Sequence, residues 1–330
     1  MRPRNIFRPV QLCGSRATGR AGVSVSHTRT NLRRNSSPVK LSSEPRLLYW
    51  QPAQDLRKYV SGYHLFCVRP DVNAFHEDTF WPGWMHLRLK LLETQRWQLK
   101  ATGRDWFETG KATVFGPTSG AVKTRAESGV VVGAGITPVG WLALNLQSAR
   151  HWADRVGPAD QAGFRAIDAL HARAMELDDD EDVKDLFDEY FREQINTQQR
   201  GLEMVEKIMQ ALLDANRTRI GDLAQGFAVS ERTFQRLCAE AFGFAPRLLL
   251  RRARFLRSLA AIREVDPAER SAAIDESYTD YSHFIRDSHK FLGKSPRAFL
   301  EGQSQMAVKS LEYRRKVLGQ STQALTSAGD

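Results

Sequence analysis

Residues 230–247 and 280–297 repeat one another at an offset of fifty positions and hold the side chains whose types and spacing point to chemistry. Phe234/Phe284, Arg236/Arg286, Gly243/Gly293, Pro246/Pro296 and Arg247/Arg297 coincide. In the first copy Glu231, Arg232, Gln235 and Arg236 turn away from Phe234 on a helical wheel, with Ser230 and Thr233 at the helix start. In the second, Tyr281, Ser282, His283, Ile285 and Arg286 take the corresponding face, and Lys294 follows the terminal glycine. Arg and Gln fit guanine and adenine edges, and an Ile can touch a thymine methyl. The chemistry suggested is hydrogen bonding to bases and phosphates. Taken singly, each of these residues suits a solvated helix face equally well; the repeated set carries the reading.

Catalytic and metal-binding constellations are harder to assemble. His64, His76 and His86 lie in a strand-like region and could converge as ligands, but no HxH or carboxylate spacing reinforces them, so polar strand faces are the preferred reading. Trp81, Trp84, Trp97 and Trp106 could line a pocket, although aromatics in a small β-domain are more often core. Gly133-Ala134-Gly135 lacks the third glycine and the helix start of a dinucleotide fingerprint. Cys13, Cys67 and Cys238 form neither a CxxC nor an even set, which suits a reducing cytoplasm. No catalytic residue, metal or cofactor is assigned.

The repeat implies the elements that position its side chains. Ser230 and Asp280 are good N-caps, Phe234 and Phe284 anchor the helices they open, and Gly243 and Gly293 suit left-handed helix ends. Pro246 and Pro296 then restart a helix at its first position. Upstream, Ile220, Leu223 and Ala224 in one copy, and Ala272, Ala273 and Ile274 in the other, are expected to form the short helix that crosses the first. Helix, tight turn and exposed helix make a DNA-reading unit.

The rest of the chain reads differently. Residues 47–141 show short alternating runs between turn signals: in 85–91 Met85, Leu87, Leu89 and Leu91 alternate with His86, Arg88 and Lys90, predicting one buried face and one wet face. A barrel or sandwich is expected. Helical spacing follows from Trp141 through Ala149, Trp152 and Val156 to a stop at Gly157-Pro158, and then in three further segments. Acids at 178–182 open the second of these, and 201–215 forms the third. Those helices either cover the sheet or pair between subunits.

Charge is unevenly spread. The net +10 includes nine Lys and Arg without an acid in residues 1–43, which predicts a disordered basic tail. Residues 44–214 hold 20 basic against 25 acidic side chains, and 215–318 hold 19 against 12, so the repeat region is basic in its own right. No run reaches the roughly 18 apolar residues of a membrane helix.

From about Thr218 to Leu300 the chain resembles the AraC/XylS family of transcription regulators. The likeness rests on Leu223-Ala224, on the run from Ser230 to Arg236, on Gly243-Phe244-Ala245-Pro246, on Leu250 to Phe255, and on Tyr278 to Arg286 followed by Gly293-Lys294-Ser295-Pro296. The resemblance implies two helix-turn-helix subdomains joined by a long helix, here about 246–263, that place recognition helices in successive major-groove segments, beneath an upstream sensor. Ala228 and Ser277 stand where the family favours a turn glycine, so strain is expected at both. Cys238 and Ser288 replace a frequent core phenylalanine that Phe242 and Phe291 can refill. Residues 47–157 resemble, more weakly, a β-rich domain often found ahead of AraC-type regions. The linker residues Arg251, Arg252, Arg254 and Arg257 could touch phosphate, although helical spacing spreads them over more than one face.

The expected architecture is α+β. It comprises a tail (1–43), a β-rich sensor-like domain (44–160), connecting or dimerisation helices (161–215), a DNA-binding domain (216–302) and a C-terminal extension (303–330). The expected function is sequence-specific DNA binding in transcription regulation. Double-stranded DNA is the partner, and a small-molecule effector, RNA polymerase and a second copy of the chain are further candidates. The alternative is an enzyme or ligand-binding protein with its site in the β-rich domain and the helical repeats as scaffold.

Overall fold

The computed structural model describes residues 45–69, 74–92, 95–214 and 219–325. The expected basic tail lies outside these residues.

Among the described residues ten strands form two antiparallel sheets. The larger has the order β1 (Arg46–Trp50), β2 (Val60–Val68), β9 (Gly129–Ile136), β4 (Met85–Lys90), β7 (Ala112–Phe115) and β10 (Val156–Pro158). The smaller runs β3 (His76–Phe80), β8 (Val122–Ala126), β5 (Trp97–Lys100) and β6 (Phe107–Glu108). The sheets are open, so the barrel-or-sandwich expectation resolves into two packed sheets. Phe66, Phe115 and Val131 of the larger meet Trp97, Leu99, Val122 and Ala126 of the smaller.

The other face of the larger sheet is covered by helices. α1 (Pro138–Ala143) follows β9 directly, with the Thr137 hydroxyl accepting from the Gly140 amide at 3.0 Å. After the single turn α2 (Ala149–Trp152) come α3 (Ile167–Met175), α4 (Asp182–Gln194) and α5 (Leu202–Leu213). Their apolar stripes join the sheet in one core, where Tyr63 stacks on Phe187 and Phe191 at 5.2 and 6.2 Å. Because the sheet is covered twice, the wet face expected for residues 85–91 is absent: Arg88 is only 8% exposed and His86 is half-buried. The stop expected at Gly157-Pro158 is also displaced. Residues 156–158 pair with β7, a ladder that outweighs their helical spacing.

The C-terminal helices are α6 (Ile220–Gly226), α7 (Glu231–Phe242), α8 (Pro246–Arg263), α9 (Tyr281–Leu292), α10 (Pro296–Glu301) and α11 (Gln305–Leu318). Phe234, Cys238, Phe242 and Leu249 continue the core under the sheet, whereas Phe255, Leu259, Phe284, Phe291 and Phe299 gather in a second core with Trp81 and Ala324.

α11 turns back onto the sheets. Ser310 Oγ lies 2.7 Å from the Tyr49 hydroxyl, and Ser304 Oγ donates to Asp78 at 2.7 Å. Beyond it, the Gln323 amide donates to the carbonyls of Met85 and Ile136 at 3.0 and 3.1 Å. Two glycines make room. A Cβ on Gly62 would fall 2.3 Å from Leu318, and one on Gly135 would fall 2.9 Å from Gln323.

Candidate nucleic-acid interface

The first unit has the form its residues predict. The amides of Phe227 and Val229 return to the carbonyls of Leu223 and Ala224 at 3.1 Å, closing the turn between α6 and α7. Ala228 sits in that turn at φ 53°, a left-handed conformation that costs a Cβ-bearing residue roughly 1 kcal/mol. Ser230 Oγ accepts from the Thr233 amide at 3.2 Å and donates to its hydroxyl at 3.0 Å. Phe234 is fully buried and stacks on Phe227. Gly243 ends α7 at φ 84°, and Pro246 opens α8. Burial pushes the Cys238 thiol up to about 12, while Phe242 fills the neighbouring space against Trp84.

The second unit keeps its expected capped helix, α9, but departs upstream. Asp280 accepts from the His283 amide at 2.7 Å, Phe255 stacks on Phe284 and Phe291, and Gly293 ends α9 at φ 73°. The crossing helix expected around Ala272, Ala273 and Ile274 is not formed. Residues 264–280 are turns and bends, with the Glu269 and Ala272 amides bonded three residues back. The segment offers Ile274 and small alanines to the core, too little burial to hold a short helix that is marginal by itself. Instead the Asp275 amide donates to Ser258 Oγ at 2.9 Å. Strain at Ser277 is likewise absent: it is not left-handed, and its amide and hydroxyl bond to Asp275 at 3.1 and 2.5 Å. Ser288 donates to the Lys294 carbonyl at 2.8 Å, tying down the helix end.

On α7, Glu231, Arg232, Gln235 and Arg236 are exposed, Ser230 is exposed at the cap, and Thr233 is half-buried. On α9, Ser282 and Arg286 are exposed, as is Lys294 beyond it. Tyr281, His283 and Ile285 are half-buried, with Tyr281 against Phe284 and His283 edge-on to Tyr278 at 5.1 Å. Among the described residues Arg232, Arg236, Arg286 and Lys294, like exposed Lys290 on α9, have no ion-pair partner, which leaves them free for an anionic surface.

The linker arginines behave differently. Arg251 Nε donates to Asp287 at 2.6 Å, Arg254 reaches the same carboxylate at 3.3 Å, and the Tyr278 hydroxyl donates to it at 2.8 Å. Burial opposes ionisation of Asp287, but Arg251, Tyr278 and Arg254 outweigh it and hold the carboxyl below the usual range. Arg257 pairs with Asp275 at 2.8 Å. Arg252 points the other way. It is 1% exposed, its guanidinium lies 4.2 Å from the Trp84 ring centre, and its Nη1 donates to the carbonyls of Thr118 at 2.7 Å and Gly83 at 3.3 Å. Burial lowers its pKa to about 9. The phosphate contact suggested for these four arginines is thus unavailable to Arg252, while Arg251, Arg254 and Arg257 line a groove of about 400 Å³ with exposed Arg247. Sequence reasoning missed Asp275 and Asp287 as their partners; the signal was two acids at apolar spacing from Tyr278 and Phe284 in a basic region.

Residues 223–302 match the model of a helix-turn-helix domain. No curated protein matches the chain. Among solved structures, wild-type ToxT from Vibrio cholerae strain SCE256, bound to an unsaturated fatty acid, is similar at 15% identity and a TM-score of 0.41, over 72% of this chain and 98% of that one. The AraC-like transcriptional activator CuxR is similar at 12% identity and a TM-score of 0.26, over 65% and 95%.

Proposed function

We propose that this chain, a DNA-binding transcription regulator whose residues 223–302 form a helix-turn-helix domain of the AraC type, sets α7 and α9 into successive major-groove segments of one operator. One observation carries the reading: two capped, glycine-terminated helices bury Phe234 and Phe284 and turn unpaired Arg232, Arg236 and Arg286 to solvent. Arg232 and Gln235 read bases in the first segment and Arg286 in the second. Arg236 and Lys294 contact phosphate, and Ser230, Glu231, Thr233, Tyr281, Ser282, His283 and Ile285 complete the two contact faces.

In this reading residues 44–160 sense a small molecule, 161–215 connect, 216–302 bind DNA and 303–330 are a C-terminal extension whose described residues brace the β-rich region. The chemistry is binding rather than catalysis, carried out in the cytoplasm, where RNA polymerase and a second copy of the chain are partners. No helix among the described residues is long and apolar enough to cross a membrane. Arg252 provides a route between the halves, since it is rooted in α8 and held by Trp84, Gly83 and Thr118 of the β-rich region.

A genome-wide footprint of the tagged protein tests this. The expected result is a bipartite motif, with Arg232→Ala and Arg286→Ala each costing about 1–3 kcal/mol at one half. Sequence-independent binding would overturn it.

A further inference from the structure

A chamber of about 90 Å³ lies between the larger sheet and the C-terminal segment that turns back over it. Tyr49, His64, His86 and Arg88 line it from the sheet, and Arg314 and Gln323 line it from the returning segment. No acidic side chain among the described residues is in its wall. Arg88 and Arg314 are 8% and 7% exposed, and neither has a carboxylate partner among the described residues. The Arg88 guanidinium is seated 4.7 Å from the Phe80 ring centre and 4.6 Å from that of Phe115, which softens its burial. Its Nε and Nη1 nevertheless lack hydrogen-bond partners, as do Nε and Nη2 of Arg314.

The remaining polar atoms do not neutralise this charge. His64 and His86, with ring centres 6.2 Å apart, leave Nε2 and Nδ1 respectively without a partner. Burial first, and then Arg88 and Arg314, hold both imidazoles well below their ordinary range, so they are neutral. Among the described residues the chamber therefore holds two buried guanidiniums and no anion. Folded proteins tolerate buried charge when it is paired, and orphaned buried donors call for an explanation.

We propose that this chamber binds a short-chain carboxylate, its anion held by Arg88 and Arg314 and its carbon body against Phe66, Phe80 and Phe115. The inference rests on the regulator reading above and names the class of its effector. Forked guanidinium donors match a planar carboxylate. About 90 Å³ is room for roughly three waters, which seats a carboxylate with a body of about two to four carbons. A tetrahedral inorganic oxyanion would turn unmatched oxygens onto the aromatic wall. Occupancy also has a direct reader: Gly83, Trp84 and Thr118 line the chamber and hold Arg252 of α8.

The test uses the full chain, calorimetric titration and thermal melts with acetate, propionate, butyrate, pyruvate, octanoate, phosphate and sulfate. The expected result is saturable binding of at least one acid of two to four carbons, weakened tenfold or more by Arg314→Met and less by Arg314→Lys. Since an orphaned buried cation disfavours the empty fold, Arg314→Met is expected to melt higher than wild type without ligand, which separates lost binding from misfolding. Lack of binding by every short acid, octanoate or phosphate binding more tightly, or a lower apo melting temperature for Arg314→Met would each overturn the proposal. Operator footprints run on the same samples, with and without acid, separate the two readings. A bipartite footprint without carboxylate binding sinks this inference alone, and the lack of a footprint in both samples sinks the regulator reading.

Discussion

Asp287 shows how a single side chain decides what its neighbours are free to do. It is fully buried, accepts from Arg251, Arg254 and Tyr278, and so ties α8 to α9. Replacing it leaves guanidiniums facing a hole, and Asp287→Ala is expected to cost about 3–5 kcal/mol in a denaturant titration. Its carboxyl titrates below the ordinary aspartate range when folded. Its contribution is therefore fully present above the unfolded value near 3.9 and is lost as pH falls through the lower folded value. In melts against pH, the gap between wild type and Asp287→Asn should accordingly be widest near neutrality and shrink below about pH 4; a gap that grows in acid would refute this assignment.

α8 is the element on which the molecule turns. Pro246 opens it, and its eighteen residues span roughly 27 Å between α7 and α9. It contributes Leu249 to the first core and Phe255, Leu256, Leu259 and Ile262 to the second. One side carries Arg247, Arg251, Arg254 and Arg257, and another sends Arg252 into the β-rich region. Positive charge on this helix thus has two separable roles. Arg252→Ala removes hydrogen bonds to two carbonyls and a ring contact, and is expected to lower stability by about 2–4 kcal/mol. Arg247→Ala, on the exposed side, should stay within about 0.5 kcal/mol. Denaturant midpoints of the two variants check the contrast, and equal losses would mean that Arg252 is no anchor.

At the scale of the whole molecule, charge is partitioned between binding and bracing. Arg251, Arg254 and Arg257 of α8 are held inside the fold by Asp287 and Asp275, whereas Arg232, Arg236, Arg286 and Lys294, on or beside α7 and α9, have no ion-pair partner among the described residues. Operator affinity should therefore fall with salt as a few phosphate contacts dictate, with a slope of about −0.9 per contact in a plot of log K against log salt. Lys294→Ala should reduce that slope by about 1 and weaken all sequences alike, whereas Arg232→Ala should relax discrimination at its own bases. Fluorescence anisotropy across a salt series distinguishes them, and an unchanged slope for Lys294→Ala would remove it from the interface.

The parts of this protein legible in its sequence are those that residue type dictates locally. Ser230 and Asp280 cap, Gly243 and Gly293 turn left-handed, Pro246 and Pro296 restart helices, and the repeat placed α7, α8 and α9 correctly because each device needs only its near neighbours. Periodicity also separated strands from helices, except where β10 took a segment of helical spacing into the sheet. Partnership was out of reach. Spacing reports which face is hidden but not what hides it, so the return of α11 over the sheets, the burial of Arg88 and Arg314 and the anchoring of Arg252 emerged only from contacts between residues far apart in the chain. The same holds for Gly133 and Gly135, which mimic a fragment of a nucleotide motif in sequence. In the fold they clear space for His64 and Gln323, a role that exists only once the strands have paired.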